Sequence, residues 1–61
     1  MPVIFLKSGG TLTCTGYTVR DGVVKAVDVQ FDGTDLPEDK QRQAEAAVAL
    51  GNVLYIIPGR L

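Results

Sequence analysis

Two short turn signals, Gly9-Gly10 and Asp21-Gly22, constrain the fold of this 61-residue chain more than any other feature. Glycine adopts positive φ angles without steric cost, and Asp-Gly is a typical loop of a tight β-hairpin. The two signals separate three segments rich in β-branched and aromatic residues, which are Val3 to Leu6, Thr11 to Val19 and Val23 to Phe31. The first half of the chain is therefore predicted to be a three-stranded antiparallel meander.

The Asp21-Gly22 signal also predicts the register of its hairpin. If these two residues are the centre of a type I′ turn, counting outward along both strands places Gly16 opposite Val27. The predicted pairs are Leu12 with Phe31 and Cys14 with Val29 on one face, and Tyr17 with Ala26 and Val19 with Val24 on the other. Apolar residues then meet apolar residues, which supports this register.

A two-residue loop at Gly9-Gly10 would place Phe5 beside Cys14 and turn Ile4 and Leu6 to the other face. That second face is more apolar than a sheet surface open to water should be. Its apolar members are Ile4, Leu6, Tyr17, Val19, Val24 and Ala26. Because exposed apolar patches mark binding surfaces, these six residues are the predicted interface. The alternative is that sheet twist or the C-terminal residues cover them within one chain.

The segment after Phe31 has the pattern of a helix. Asp35 and Glu38 fit a capping arrangement, and mostly alanine residues recur along one side from Leu36 to Leu50. Gly51 suits the C-terminal cap. We therefore predict one helix over this range, packed on one face of the sheet.

The apolar run Val53 to Ile57 predicts a fourth strand, which Pro58 ends. Being apolar on both faces, it is typical of a covered or central strand. A helical connection would make it parallel to the third strand, and it could lie beside either the first strand or the third. The predicted fold is a single α+β domain over residues 1–61, with a small four-stranded mixed sheet and one helix.

The composition excludes several classes of site. The chain has no histidine and one cysteine, Cys14, so it lacks the imidazole of many acid–base, nucleophile-activating and metal sites and forms no internal disulfide. A chain without disulfides suits a reducing cytoplasm. No apolar run approaches the roughly 18 residues of a membrane helix. We expect a cytoplasmic protein that is not an enzyme and that has no cofactor, no metal and no membrane contact.

Three further features have ordinary structural explanations. Cys14 is predicted to be a small core residue, because its expected neighbours supply no positive charge to make it a thiolate. The stretch Ser8 to Thr11 leads into a strand, so it predicts a turn and not a phosphate-binding loop. The acidic residues between Asp28 and Asp39 fit helix capping and solubility. The sequence leaves open whether this acidic segment binds a cation.

The sequence favours a non-catalytic protein-interaction module that self-associates, with a homodimer as the preferred assembly and another protein as the other possible partner. Short acidic single-domain chains of this kind are often accessory or inhibitory proteins of bacteria or phages. One alternative is a single-stranded nucleic-acid-binding or regulatory module that uses the sheet face around Tyr17. The net charge of −1 makes nucleic acid the less favoured partner. A second alternative is a monomeric structural protein.

Overall fold

The computed structural model describes residues 1–59, and within them every regular element longer than three residues is a β-strand. The strands are β1 (Val3–Leu6), β2 (Thr11–Thr13), β3 (Gly16–Arg20), β4 (Val23–Asp32), β5 (Arg42–Ala49) and β6 (Val53–Ile57). Two 3₁₀ turns lie at Glu38–Lys40 and Leu50–Asn52. All neighbouring strands are antiparallel, and together they form one sheet that curls into a half-barrel.

β4 is the centre of this sheet. It pairs along one edge with β3 and then β2, and along its other edge with β5. β1 pairs with β2, and β6 pairs with β1 on the far side. Among the described residues, β3, β5 and β6 therefore each have one edge without a partner strand.

The register predicted from Asp21-Gly22 is confirmed. Val19 pairs with Val24 near the turn, and the same count holds farther along, where Gly16 pairs with Val27 and Leu12 with Phe31. The φ angles of the two turn residues are 54° and 75°, and a type I′ turn requires positive values at both positions.

The predicted register of the first hairpin is wrong, because its loop is longer than two residues. The N–H of Leu6 donates to the carbonyl of Gly10 at 3.1 Å, which leaves residues 7–9 as the loop. Ile4 consequently pairs with Leu12 instead of facing away from it. The side chains of Ile4 and Leu6 thus join Leu12 on the inner face of the half-barrel.

An irregularity at Asp28 changes which residues of β4 face inward. Asp28 has a φ of 53°, in the left-handed region, and its Oδ2 accepts a hydrogen bond from Thr15 Oγ1 at 3.0 Å. Val24 before this point and Val29 after it are both buried, whereas strict alternation would send them to opposite faces. Val27, beside the irregularity, is 45% exposed. Val24, Ala26 and Val29, which the sequence assigned to two different faces, therefore share one face.

The core is formed by side chains on this single inner face. The buried residues are Ile4, Leu6, Leu12, Cys14, Val24, Ala26 and Val29. Partly buried apolar residues pack against them, and these are Tyr17, Phe31, Ala46, Val48, Val53 and Ile56. The predicted core position of Cys14 is confirmed.

The predicted helix over Leu36–Leu50 is wrong, and the predicted α+β class is wrong with it. Most of this segment is β5, which pairs with β4 along nearly its whole length. Ala46 and Val48 pack against the core while Ala47 between them is exposed, which is the period of a strand. Pairing with the open edge of β4 outweighs the helical propensity of alanine.

The predicted final strand is confirmed as β6, and it lies beside β1, one of the two positions that the sequence left open. β6 is antiparallel to β1. β5 runs opposite to β4 and therefore opposite to β1, and the chain keeps this direction through the turn at Leu50–Asn52 into β6. Leu50 N–H donates to the Gly22 carbonyl at 2.8 Å, and Lys7 N–H donates to the Asn52 carbonyl at 2.7 Å. This turn therefore ties β5 and β6 to the two hairpin loops.

Replacing Ala47 with threonine tests whether this residue lies in a strand or in a helix, because the free energy of unfolding would change in opposite directions. At an exposed strand position we expect Ala47→Thr to raise the free energy of unfolding by up to about 1 kcal/mol, because threonine favours extended backbone. In a helix the same change would lower it by about 0.5 kcal/mol. Urea denaturation measures the difference, and a clear loss of stability would contradict the assignment of β5.

The irregularity at Asp28 predicts a second pair of stabilities. We expect Asp28→Val to lower the free energy of unfolding by about 2 kcal/mol, because a β-branched residue is strained at this φ and the bond from Thr15 is lost. Asp28→Asn should change it by less than about 0.5 kcal/mol, since asparagine tolerates the left-handed region and its amide oxygen accepts the same bond. Equal losses in the two variants, again by urea denaturation, would contradict this role for Asp28.

Candidate functional site at the free edge of β6

The last strand, β6, presents a group of exposed apolar side chains. Leu54, Tyr55 and Ile57 are 55%, 57% and 49% exposed, although they follow one another closely in a single strand. Scattered apolar residues are normal on protein surfaces, but a contiguous group marks a binding surface. β6 is therefore the first candidate for a functional surface.

The exposed residues of β6 continue into β1 on the outer face of the sheet. Tyr55 pairs with Phe5, and their ring centroids lie 4.8 Å apart with planes tilted by 42°. Ile57 pairs with Val3 on the same face. We call these four residues the outer patch. Because Phe5 supports the ring of Tyr55, the patch presents a positioned aromatic side chain to solvent.

The other edge of β6 has no partner strand within residues 1–59. Lys7 N–H donates to the Asn52 carbonyl, so Lys7 directs its main-chain groups toward β6, and by alternation so do Phe5 and Val3. Tyr55 pairs with Phe5 and Ile57 pairs with Val3, so both direct their main-chain groups back toward β1. The N–H and C=O of Ile56, between them, consequently point away from the sheet. We call this outward side the β6 edge.

The β6 edge differs in charge from the free edge at the opposite end of the sheet. β5 carries the exposed charged residues Arg42 and Glu45, whereas β6 contains no charged residue. Charged side chains on edge strands prevent unwanted pairing with other strands. β5 is therefore a protected edge, and the β6 edge is unprotected.

The six residues of the predicted interface do not form one surface patch. Ile4, Leu6, Val24 and Ala26 are buried in the core of a single chain, while Val19 is 48% exposed. The longer first loop turns Ile4 and Leu6 inward, and the irregularity at Asp28 places Val24 and Ala26 on the same side of β4 as Val29. Tyr17, the sixth residue, is half-buried and packs against the core.

The environment of Tyr17 also bears on the nucleic-acid alternative. Tyr17 pairs with Ala26 on the inner face, whereas the next pair along, Thr18 with Lys25, points outward. The aromatic ring and the nearest cation of the neighbouring strand thus lie on opposite sides of the sheet. Base stacking in proteins that bind single strands combines both on one surface.

No cation site is evident at the acidic segment in the part of the chain that the structure describes. Within residues 1–59 no three side chains of histidine, cysteine, aspartate or glutamate come together as metal ligands. The carboxylate of Asp28 accepts a hydrogen bond from the hydroxyl of Thr15. The same residues include no helix with the length and apolar character of a membrane span.

Two of the open clefts on the surface lie beside the residues described above. A cleft of about 560 Å³ on the outer face near Asp28 has walls that include Thr13, Gln30 and Arg42. Thr13 Oγ1 and Thr15 Oγ1 in this cleft already donate to β4, at 3.4 Å to the Gln30 carbonyl and 3.0 Å to Asp28 Oδ2. A second cleft of about 350 Å³, between β5 and the first hairpin, has mostly apolar walls that include Leu6, Phe31, Leu36 and Val48. Neither cleft contains Cys14, the one thiol of the chain.

Comparison with protein-family models, curated proteins and solved structures finds no match for this chain. The candidate site therefore rests on the geometry and chemistry of the β6 edge alone.

The burial of Cys14 predicts its reactivity. Burial raises the pKa of the Cys14 thiol, although a hydrogen bond from the backbone of Gly16 partly opposes this. The thiolate is the reactive form, so we expect no labelling by Ellman's reagent in the native protein at pH 8 and complete labelling in urea. Rapid labelling of the native protein would contradict this placement of the thiol.

The raised pKa of Cys14 also predicts how the free energy of unfolding changes with pH. The folded state holds the thiol proton more tightly than the unfolded state, so the stability it contributes is present at neutral pH. This stability is lost as the pH rises past 9.0, the ordinary pKa of the group. We expect the wild type to lose more stability than Cys14→Ala between pH 8 and pH 10, measured by urea denaturation.

Proposed function

We propose that this protein is a non-catalytic protein-interaction module that binds an extended segment of a partner polypeptide along the β6 edge. The observation that carries the proposal is an edge strand with half-exposed apolar side chains and no charged residue, whose outward edge has no partner strand within residues 1–59. Adding a strand to a free sheet edge is a common mode of peptide recognition. The main-chain groups of Ile56 supply hydrogen bonds, and the outer patch supplies apolar contact.

The proposal that the protein is not an enzyme rests on its side-chain chemistry. The chain has no histidine, and its single thiol is buried in the core. A nucleophile paired with a base is the usual requirement for covalent catalysis. A cytoplasmic location is part of the proposal, because a free cysteine and no disulfide suit a reducing compartment.

The test uses a peptide with the sequence of residues 53–57 between lysines, amidated and labelled with fluorescein. The labelled peptide is held at nanomolar concentration while the protein concentration is raised, and fluorescence anisotropy reports binding. We expect saturable binding to the wild type and at least tenfold weaker binding to Tyr55→Lys, because a charge protects an edge strand.

The matched control is Val27→Lys, which places the same charge at a residue of similar exposure on β4, a strand with both edges paired. This variant should bind the peptide as the wild type does. Equal binding by Tyr55→Lys and the wild type, or no binding by any form, would refute strand addition at β6.

A further inference from the structure

We infer that the segment that occupies the β6 edge is β6 of a second copy of this chain, antiparallel to the first about a two-fold axis at Tyr55. This inference rests on the proposed function and names the partner. It depends on the sequence of the edge, on the direction of its main-chain groups and on the charges at the other edges.

The sequence of β6 is complementary to itself in the antiparallel direction. An axis at Tyr55 places this residue opposite Tyr55 of the second copy, Leu54 opposite Ile56, and Val53 opposite Ile57. Every pair is apolar, and no like charges meet across the axis. The interface is then isologous, as in most symmetric dimers.

The hydrogen-bond directions agree with this axis. The main-chain groups of Tyr55 point toward β1, so the two Tyr55 residues would form a non-hydrogen-bonded pair with their Cα atoms about 4.5 Å apart. The outward N–H and C=O of Ile56 would face Leu54 of the second copy, the residue of β6 that has no register partner on β1 because the pairing of the two strands shifts there. The axis repeats this contact on its other side, so both strands gain main-chain partners.

The two-fold arrangement also extends the outer patch. An axis perpendicular to the sheet keeps each outer face on the same side, which places the rings of Phe5 and Tyr55 in one row with their counterparts. The rings of Phe5 and Tyr55, 4.8 Å apart within one chain, would thus form a row of four rings with those of the second copy. Aromatic pairs across neighbouring strands stabilise a sheet.

Charges at the other end of the sheet favour a closed dimer over a longer assembly. Pairing of β6 with β5 of another copy would leave a new free β6 edge and continue without end. Arg42 and Glu45 on β5 oppose that pairing. Pairing of β6 with β6 uses the unprotected edge of both copies. It leaves free the edge of β5, with Arg42 and Glu45, and the edge of β3, with Arg20.

Disulfide trapping tests the axis. In Tyr55→Cys, the two introduced thiols lie at the axis, within the separation of about 4.4 to 6.8 Å between Cα atoms that a disulfide allows. We expect mild oxidation to convert most of this variant to a disulfide-linked dimer, seen by intact mass. Cys14 is buried and stays reduced in the folded protein.

The matched control is Ile57→Cys, on the same strand and the same face with similar exposure. In the proposed register the two residues at position 57 lie four residues out of line, about 13 Å apart, and cannot form a disulfide. Equal trapping of the two variants would overturn the proposed axis, because collision or another register would then explain both.

Light scattering of the unmodified chain provides the second readout. We expect twice 6.5 kDa at high concentration for the wild type and Val27→Lys, and 6.5 kDa for Tyr55→Lys. A wild type that stays at 6.5 kDa up to millimolar concentration would overturn the second copy as partner. If that monomer still binds the labelled peptide, strand addition at β6 stands and only the identity of the partner is refuted.

Discussion

The irregularity at Asp28 in β4, where the side chains stop alternating between the two faces, is the feature on which the rest of the structure depends. A φ of 53° at this residue interrupts the alternation of β4, and the hydroxyl of Thr15 bonds to its carboxylate. Val24 and Val29 therefore point to the same side of the sheet. A chain of this length has too few residues to cover two apolar faces, and the irregularity leaves it only one to cover. The sheet curls around that face and forms its core.

The strand arrangement follows from this curl. β4 is ten residues long, and once β3 and β2 pair along one edge, the whole opposite edge is open. β5 pairs with this edge. Its side chains also stop alternating beside Asp28, since Gln43 and Ala46, three residues apart, are both partly buried. The chain then crosses through Leu50–Asn52 to the far side of β1. Besides the free edge of β3, the sheet has a charged free edge at β5 and an uncharged one at β6. The proposed function depends on the lack of charge at the β6 edge.

Predictions from the sequence were correct where local turn chemistry determines the structure. They were wrong where the structure depends on pairing between strands far apart in the chain. Asp21-Gly22 defined a hairpin register that holds as far as Leu12 and Phe31, because only turn geometry and counting are needed. The alanines of β5 fit a helical period and a strand period alike, and nothing local reveals the open edge of β4. β6 was expected to be covered because it is apolar on both faces, yet it is an edge strand. A sequence does not distinguish burial within a chain from burial against a partner.

The solvent exposure of three valines of β4 tests most directly whether the irregularity at Asp28 puts the core on one face of the sheet. A soluble paramagnetic gadolinium chelate broadens methyl resonances in proportion to their access to solvent. We expect strong broadening for Val27 and protection for both Val24 and Val29. A strand that alternates without interruption would give Val27 and Val29 the same protection and Val24 the opposite, and that result would contradict the single-faced core.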